Sequence, residues 1–286
     1  MELTQALDLF LTDKRSYCAA STIKYYVSNL NFFINYCHSN NFFSVQDLNS
    51  DLLRSFVLYL RDSGCKNTSV NTYFRAVRAF CSFLIENEYI PYFKYKIKLP
   101  RPDPELVLPL SSKEVSLLFD YINNYSPDST RNMVIVRLML DLGLRSSEVR
   151  HLRVSDVFFD KKYIIIRNSK YNKSRSIPLP DCVSIILLDL ISQDNLSADD
   201  LFIPLSESAI KSIFYRLKTG TGITRLHAHL LRHTFATSYM YYRNNLEFCR
   251  LYLGHSSYSV TQNYLHLSSQ LLITHADIYK IDDIFI

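Results

Sequence analysis

The sequence predicts a mainly α chain with one small β-sheet, an α+β protein in two parts. Three observations carry this expectation. Apolar residues recur at the helical 3.6-residue period through residues 1–97, with no convincing strand among them. Prolines 100, 102 and 104 then interrupt the pattern. Beyond them a single pair of β-rich runs stands among further helical segments. A length of 286 residues fits two domains, and 48% hydrophobic residues suffice for packed cores, which excludes wholesale disorder.

The chain opens on an amphipathic stretch, MELTQALDLFLTDKR, which lacks the basic start and cleavage site of a secretory signal. Ser21 and Thr22 start a helix whose apolar positions are Ile23, Tyr26, Val27, Leu30, Phe33, Ile34 and Cys37. Its opposite face carries Lys24, Ser28, Asn31 and Asn35. A short helix is expected over Val45–Arg61. Asn67-Thr68-Ser69 caps the next, with Val70, Phe74, Val77, Cys81 and Leu84 inward and Asn71, Arg75, Arg78 and Ser82 as a polar stripe opposite. Two arginines on such a stripe can grip phosphates or bases, or form a solvated face. The stretch PYFKYKIKLPRPDPELVLP (91–109) favours an extended strap, and the domain boundary is expected there: 1–97, a linker 98–109, and 110–286.

Ser111-Ser112-Lys113-Glu114 opens the second part as a capping box. A helix over Asn132–Leu142 stops at Gly143, and Glu148–Leu152 resumes after a turn. Tyr163–Asn168 and Arg175–Leu179 flank the polar pentapeptide Ser169-Lys170-Tyr171-Asn172-Lys173 as a hairpin. Helices follow at about 181–193, 207–218, 229–242 and 246–253, with another over Ser259–His266.

Composition narrows the chemistry. Thirty-two Lys and Arg against 27 Asp and Glu leave a net charge of +5, which permits nucleic-acid binding without demanding it. Five glycines, with no GxGxxG and no GxxxxGK[ST], argue against a dinucleotide fold or a P-loop motor. No run of 18 uncharged apolar residues is present, so no membrane partner is expected. The six cysteines are scattered and make no CxxC. They read as reduced core residues of a cytoplasmic protein.

Four places in the second part stand out. Arg145 follows a helix stop in Gly143-Leu144-Arg145-Ser146-Ser147-Glu148, and either reaches into a cleft or pairs with Glu148 on the surface. Lys170 sits at the hairpin tip beside Lys173 and Arg175, solvated or free to donate a proton to a leaving oxygen or to contact DNA. His227, His229 and His233 fall within seven residues, which invites a zinc reading. No Glu follows the first His as HExxH requires, and Arg232 sets a fixed positive charge beside it, so no metal is expected. His229 and Arg232, three apart, share a helix face and can address one phosphate together. His233 then reads as a hydrogen-bonded structural histidine. Finally, Gly254 ends a helix and turns His255 toward a cleft, nine residues before Tyr264. Two arginines, a lysine, two histidines and a tyrosine make a cationic pocket with a hydroxyl nucleophile and no carboxylate cluster for Mg²⁺. A phosphodiester suits that set, because the cations neutralise a pentacoordinate transition state and tyrosine conserves the bond energy as a phosphotyrosine.

The motifs GLRSSEVRHL (143–152), NSKYNKSRSIPL (168–179), HLLRHTFAT (229–237) and LGHSSYSVTQNYLH (253–266), in this order and spacing, resemble the tyrosine recombinases of the Xer/phage-integrase type. STIKYYVSNLNFF and NTSVNTYFRAVRAFCSFL resemble that family's SAM-like core-binding domain, so nearly the whole chain is covered. The resemblance implies that Arg145 and Arg232 hold the non-bridging oxygens of the scissile phosphate. Lys170 is implied as general acid for the 5′-oxygen, with Lys173 the alternative, because Lys170 lies between Ser169 and Tyr171 where the family often has glycines. His229 would assist proton transfer, His255 would hydrogen-bond the phosphate, Tyr264 would form the 3′-phosphotyrosyl link, and Glu148 would brace the Arg145 turn. Lys24, Asn71, Arg75, Arg78, Lys173, Arg175 and His227 are the candidate DNA contacts.

As a whole, the resemblance implies a metal-independent and cofactor-free enzyme. Its two domains would clamp double-stranded DNA, and four protomers would exchange strands through a Holliday junction, with a second recombinase or an accessory protein as a further partner. The tail after His266 would dock on a neighbouring protomer, or in cis on its own domain. The alternatives are a type IB topoisomerase-like relaxing enzyme and a catalytically silent DNA-binding accessory protein.

Overall fold

The computed structural model describes residues 1–101, 107–167, 174–254, 258, 261–262, 264 and 277–280. They divide into two compact units, Met1–Glu105 and Leu106–Ile286, each with its own buried apolar cluster. The architecture is mostly helical with one three-stranded antiparallel sheet.

The first unit holds helices α1 (Leu3–Arg15), α2 (Ala20–Ser39), α3 (Ser50–Asp62) and α4 (Asn67–Glu86). Each turns one apolar stripe inward, as its period dictates. Phe10, Phe33, Phe56, Phe74 and Phe80 are fully buried, and Phe10 meets Phe80 and Phe83 edge-on at 5.6 and 5.5 Å. The expected single helix over Val45–Arg61 is in fact two pieces. Val45–Asp47 is one 3-10 turn capped by Ser44, Leu48 is extended, and Asn49 then accepts from the Asp51 and Leu52 amides to start α3. Two capping side chains in close succession, Ser44 and Asn49, break a run that hydrophobic periodicity alone reads as continuous.

Residues 92–101 carry no regular secondary structure, as prolines dictate. Leu99 packs on the first unit's core. Asn71 donates to the Pro100 carbonyl at 2.9 Å and Asn67 to that of Arg101 at 3.1 Å.

The second unit begins with α5 (Ser112–Tyr125), whose capping box pairs Ser111 with Glu114. Helix α6 (Ser129–Leu140) is buried on nearly every side from Asn132 to Leu140 and forms the centre of this unit. Gly143 follows at φ +60, and a Cβ there would come within 2.6 Å of the Phe235 ring, so only glycine fits. Helix α7 (Ser146–His151) starts two residues before the expected Glu148, because the Glu148 carboxylate caps the Arg145 amide.

The sheet runs in order β1 (Val157–Phe158), β2 (Tyr163–Ile166), β3 (Arg175–Pro178). The two expected strands pair antiparallel with Ile164 opposite Ile177 and Ile166 opposite Arg175. Strand β1, two residues long, adds an edge that no period-2 pattern can reveal. Helices α8 (Asp181–Asp194), α9 (Glu207–Thr221), α10 (Ala228–Arg243) and α11 (Leu246–Leu253) complete the unit. Of the last expected helix, Thr261, Gln262 and Tyr264 are described and helical, and the rest lies outside the described residues. Among the described residues no helix is long and apolar enough to cross a membrane.

Candidate active site

The site gathers on the second unit around one carboxylate. Glu148 occupies the first turn of α7 with its side chain 7% exposed. Its Oε2 accepts from the Arg145 amide at 2.8 Å, and its Oε1 accepts from Arg145 Nη1 at 2.9 Å. Arg175 enters from β3 and donates Nη1 and Nη2 to the two oxygens of the same carboxylate at 2.8 and 3.0 Å. Arg232, on α10, stands 3.7 Å from Glu148 Oε2. Burial alone would raise the Glu148 carboxyl. Arg175 first, then the Arg145 amide and Arg232, outweigh burial and hold it below the usual carboxylate range.

Arg145 and Arg232 differ in how they are held. Arg145 is the residue before α7, with its side chain 36% exposed and Nη2 donating to the Gly254 carbonyl at 3.3 Å. It therefore keeps a solvent-facing edge for a ligand. Arg232 is 2% exposed, and its Nη1 and Nη2 donate to the Gly143 and Leu253 carbonyls at 2.7 and 2.8 Å. These two carbonyls belong to the positive-φ turn after α6 and to the end of α11, so Arg232 links both turns. Burial, then the like charges of Arg145 and Arg175, pull its pKa down to about 10, with Glu148 opposing. It stays a cation at neutral pH.

His229 lies in the first turn of α10. Desolvation, then Arg232, His227 and Arg145, hold its pKa below the ordinary histidine value, so the ring is neutral at pH 7. His227, just before α10, donates from Nδ1 to the Arg225 carbonyl at 2.7 Å and is exposed. His233 donates from Nε2 to the Val107 carbonyl at 2.6 Å and lies 5.2 Å from the Tyr264 ring, a structural placement.

Tyr264 is 6% exposed and part of the second core. Burial raises its phenol, while Arg232 and Arg145 pull it down and Cys249 pushes it up. Arg145 and Arg232 thus act electrostatically on both His229 and Tyr264, which brings four of the six expected catalytic side chains into one locale. Lys170, its alternative Lys173, and His255 lie outside the described residues. Among the described residues no three His, Cys, Asp or Glu side chains converge as metal ligands.

The candidate DNA contacts separate by environment. Lys24 and Arg75 are exposed on α2 and α4, which meet where Tyr25 Oη donates to the Thr72 carbonyl. Arg78 is half-buried and stacks on Phe74 at 5.6 Å. The Asn71 amide is committed to the Asn67 and Pro100 carbonyls, which makes it a tie for the strap. Arg175 is likewise committed: its side chain is 14% exposed and all three guanidinium nitrogens bond within the fold, Nε to the Tyr252 carbonyl at 2.6 Å. The sequence held a signal for this. Arg175, Ile177 and Leu179 alternate with Ser176 and Pro178, and a residue two before a buried isoleucine faces inward with it.

Beside His229 lies a cavity of about 400 Å³ between α7, α9 and the start of α10, which sequence reasoning missed. Ile210, Phe214 and Leu226 make its apolar floor, with Arg150, Lys211 and Lys218 at its walls. Lys211 is paired with Glu207 at 2.6 Å.

Known proteins resemble this chain over both units. The Phage integrase family pattern matches residues 109–270, and that of the phage integrase N-terminal SAM-like domain matches residues 7–88. Tyrosine recombinase XerC of Pediococcus pentosaceus is 26% identical over 295 residues, which covers 95% of each chain. Tyrosine recombinase XerA of Pyrococcus furiosus is 29% identical over 232 residues, 78% of this chain and 77% of that one. Among solved structures, XerH recombinase in a post-cleavage complex with a palindromic difH substrate shares the fold at TM-score 0.76 and 21% identity, over 96% of this chain and 83% of that one. A lambda integrase dimer bound to a COC′ core site gives TM-score 0.74 at 17% identity, over 93% and 95%. The match of the family pattern to more than half of the chain, over the same residues that build the Glu148-centred site, makes this protein a member of the phage integrase family of tyrosine recombinases, enzymes that cleave and rejoin DNA.

Proposed function

We propose that this chain recombines DNA at a specific site through a covalent 3′-phosphotyrosyl intermediate. The convergence of Arg145, Arg232 and His229 beside a buried tyrosine, Tyr264, is the observation that carries the reading. Arg145 and Arg232 hold the non-bridging oxygens and stabilise the charge of the pentacoordinate transition state. Tyr264 Oη attacks phosphorus. A new O–P bond forms as the bond to the 5′-oxygen breaks, and the phenol proton passes toward His229, which is neutral at pH 7 and able to accept it. Lys170 protonates the leaving 5′-oxygen and His255 hydrogen-bonds the phosphate; both roles rest on the family resemblance. Rejoining runs the same step backward with a 5′-hydroxyl from another strand. Because Tyr264 is 6% exposed, it must leave the core before it reaches DNA.

Double-stranded DNA as substrate is supported by the DNA-bound state of the XerH and lambda integrase relatives. It is further supported by the exposed cations Lys24 and Arg75 on the first unit and by Arg145, Arg150, Lys211 and Lys218 around His229 on the second. Four protomers exchanging strands in two steps through a Holliday junction, in the cytoplasm, complete the proposal on the same resemblance.

The test is a nicked suicide duplex carrying a site selected from random sequence by the protein itself. Wild-type protein should give a covalent adduct on a denaturing gel that survives EDTA, and Tyr264→Phe should give none. Binding without adduct in wild type would reduce the chain to a silent binder. Relaxation of plasmids lacking any selected site would favour the topoisomerase-like alternative.

A further inference from the structure

Arg175 bonds through all three guanidinium nitrogens beside the site, yet the scheme above gives it no step. Its Nη1 and Nη2 grip both oxygens of Glu148, and its Nε holds the Tyr252 carbonyl on α11. A planar fork with two arms on one carboxylate is an arrangement lysine cannot reproduce. Gly254 lies directly over the guanidinium. A Cβ there would stand 3.2 Å from Arg175 Nη1, so glycine permits the close approach as well as its own φ of +64. One side chain thus joins β3, the first turn of α7 and the end of α11.

Charge gives these contacts a consequence. Glu148 fixes Arg145 through both amide and guanidinium, so the site needs this anion. The same anion, 2.9 Å from Arg145 and 3.7 Å from Arg232, cancels part of the field those two offer to a phosphate. A third cation bonded to the same carboxylate balances it. Arg145 and Arg232 are then left with net positive charge toward an incoming anion.

We propose that Arg175 is a positioning residue for DNA cleavage: it balances Glu148 and pins the end of α11, so that Arg145 and Arg232 keep both place and charge for the scissile phosphate, and it does not touch DNA. The inference rests on the recombinase reading.

The experiment compares the full-length wild type, Arg175→Met and Arg175→Lys on the suicide duplex, with DNA affinity measured across salt and folding checked by thermal melting. Arg175→Met should cleave about 100-fold more slowly at saturating DNA, the scale of a small misplacement in an active site. Its affinity should hold within about threefold, and its salt slope should be unchanged, since a lost phosphate contact would make the slope shallower by about 0.9. Arg175→Lys, which keeps the charge without the fork, should cleave at an intermediate rate. The acid limb of the Arg175→Met rate profile should move to higher pH, because Glu148 then faces only Arg145 and Arg232; a merely structural lesion would lower the rate equally at every pH.

Wild-type cleavage by Arg175→Met, or a slope shallower by about one with weakened binding, overturns the inference. If Arg175→Met does not fold, Arg175→Lys decides: reduced cleavage at full affinity supports the inference, and wild-type cleavage overturns it. If wild type itself makes no adduct, the recombinase reading fails. The cleavage role of Arg175 then falls with it, whereas a shallower salt slope in the variants of an active wild type overturns the inference alone, because it shows that Arg175 touches phosphate.

Discussion

At the scale of residues, the site is a set of cations held apart by the fold and tied together by one anion. Two of its histidines have pKa values pushed down by burial and by neighbouring positive charge, and that has a consequence for stability. His229 and His233 bind protons less readily in the folded chain than in the unfolded one. The unfolded chain therefore takes up more protons below about pH 6.5, and stability falls as pH drops through that value. Glu148, also depressed, acts in the same direction further down: its contribution is present above its unfolded pKa and is lost as pH falls through the folded one. A melting-temperature series from pH 8 to 5 should decline from near pH 6.5, and His233→Gln should flatten the decline. A midpoint that climbs on acidification would contradict the environment assigned to these rings. The cost of Glu148→Gln should also be large, because it removes the carboxylate charge that faces Arg232, 2% exposed, and two further guanidiniums.

At the scale of elements, the turns that carry the site tolerate little change. Gly143 sits at φ +60 with the Phe235 ring 2.6 Å from where a Cβ would be, and its carbonyl is one of the two that Arg232 grips. Gly143→Ala therefore combines a left-handed backbone penalty of about 1 kcal/mol with overpacking of about 1–3 kcal/mol. Urea denaturation should show a loss of about 2–4 kcal/mol, and a loss below about 0.5 kcal/mol would mean that the turn relaxes freely. Ser111→Ala, which removes the cap of α5, should cost about 1 kcal/mol by the same measurement. The same elements show what the sequence discloses. The α5 cap, the helical period of α2 and α4 and the β2–β3 pairing are local patterns, and local patterns are legible. The start of α3 is hidden from the helical period because Ser44 and Asn49 cap in close succession. Strand β1 escaped because two residues make no period. From the sequence Arg175 is expected at the DNA, because a basic residue after a lysine-rich tip looks solvated, whereas its guanidinium is bonded within the fold. Its inward direction follows only when Ile177 and Leu179 are taken with it, and its partner Glu148 lies 27 residues back in the chain. Long-range pairing of that kind has no sequence period.

At the scale of the whole molecule, the residues of the proposed chemistry all belong to one of two separate apolar cores. Arg145, Glu148, Arg175, His229, Arg232 and Tyr264 all lie in the second unit, whose apolar cluster runs from Leu110 to Tyr264 without a residue of the first. The first unit closes its own cluster from Leu3 to Ile90. Two self-contained cores joined by chain behave as linked binding modules, and removing one lowers affinity by about 100- to 10,000-fold without altering the chemistry of the other. A fragment spanning residues 107–286 should therefore still form the Tyr264 adduct on a suicide duplex, but only at protein concentrations higher by that factor. A fragment spanning residues 1–101 should melt cooperatively and bind DNA weakly, with no adduct at any concentration. Because affinity for DNA follows the phosphates that Lys and Arg neutralise, the loss on truncation should track the exposed cations removed, Lys24 and Arg75 among them, and the salt slope should become shallower by about 0.9 for each phosphate contact they make. If the 107–286 fragment folds and binds but never forms an adduct, the first unit contributes to the reacting geometry itself, and the division of labour drawn from the two cores is wrong.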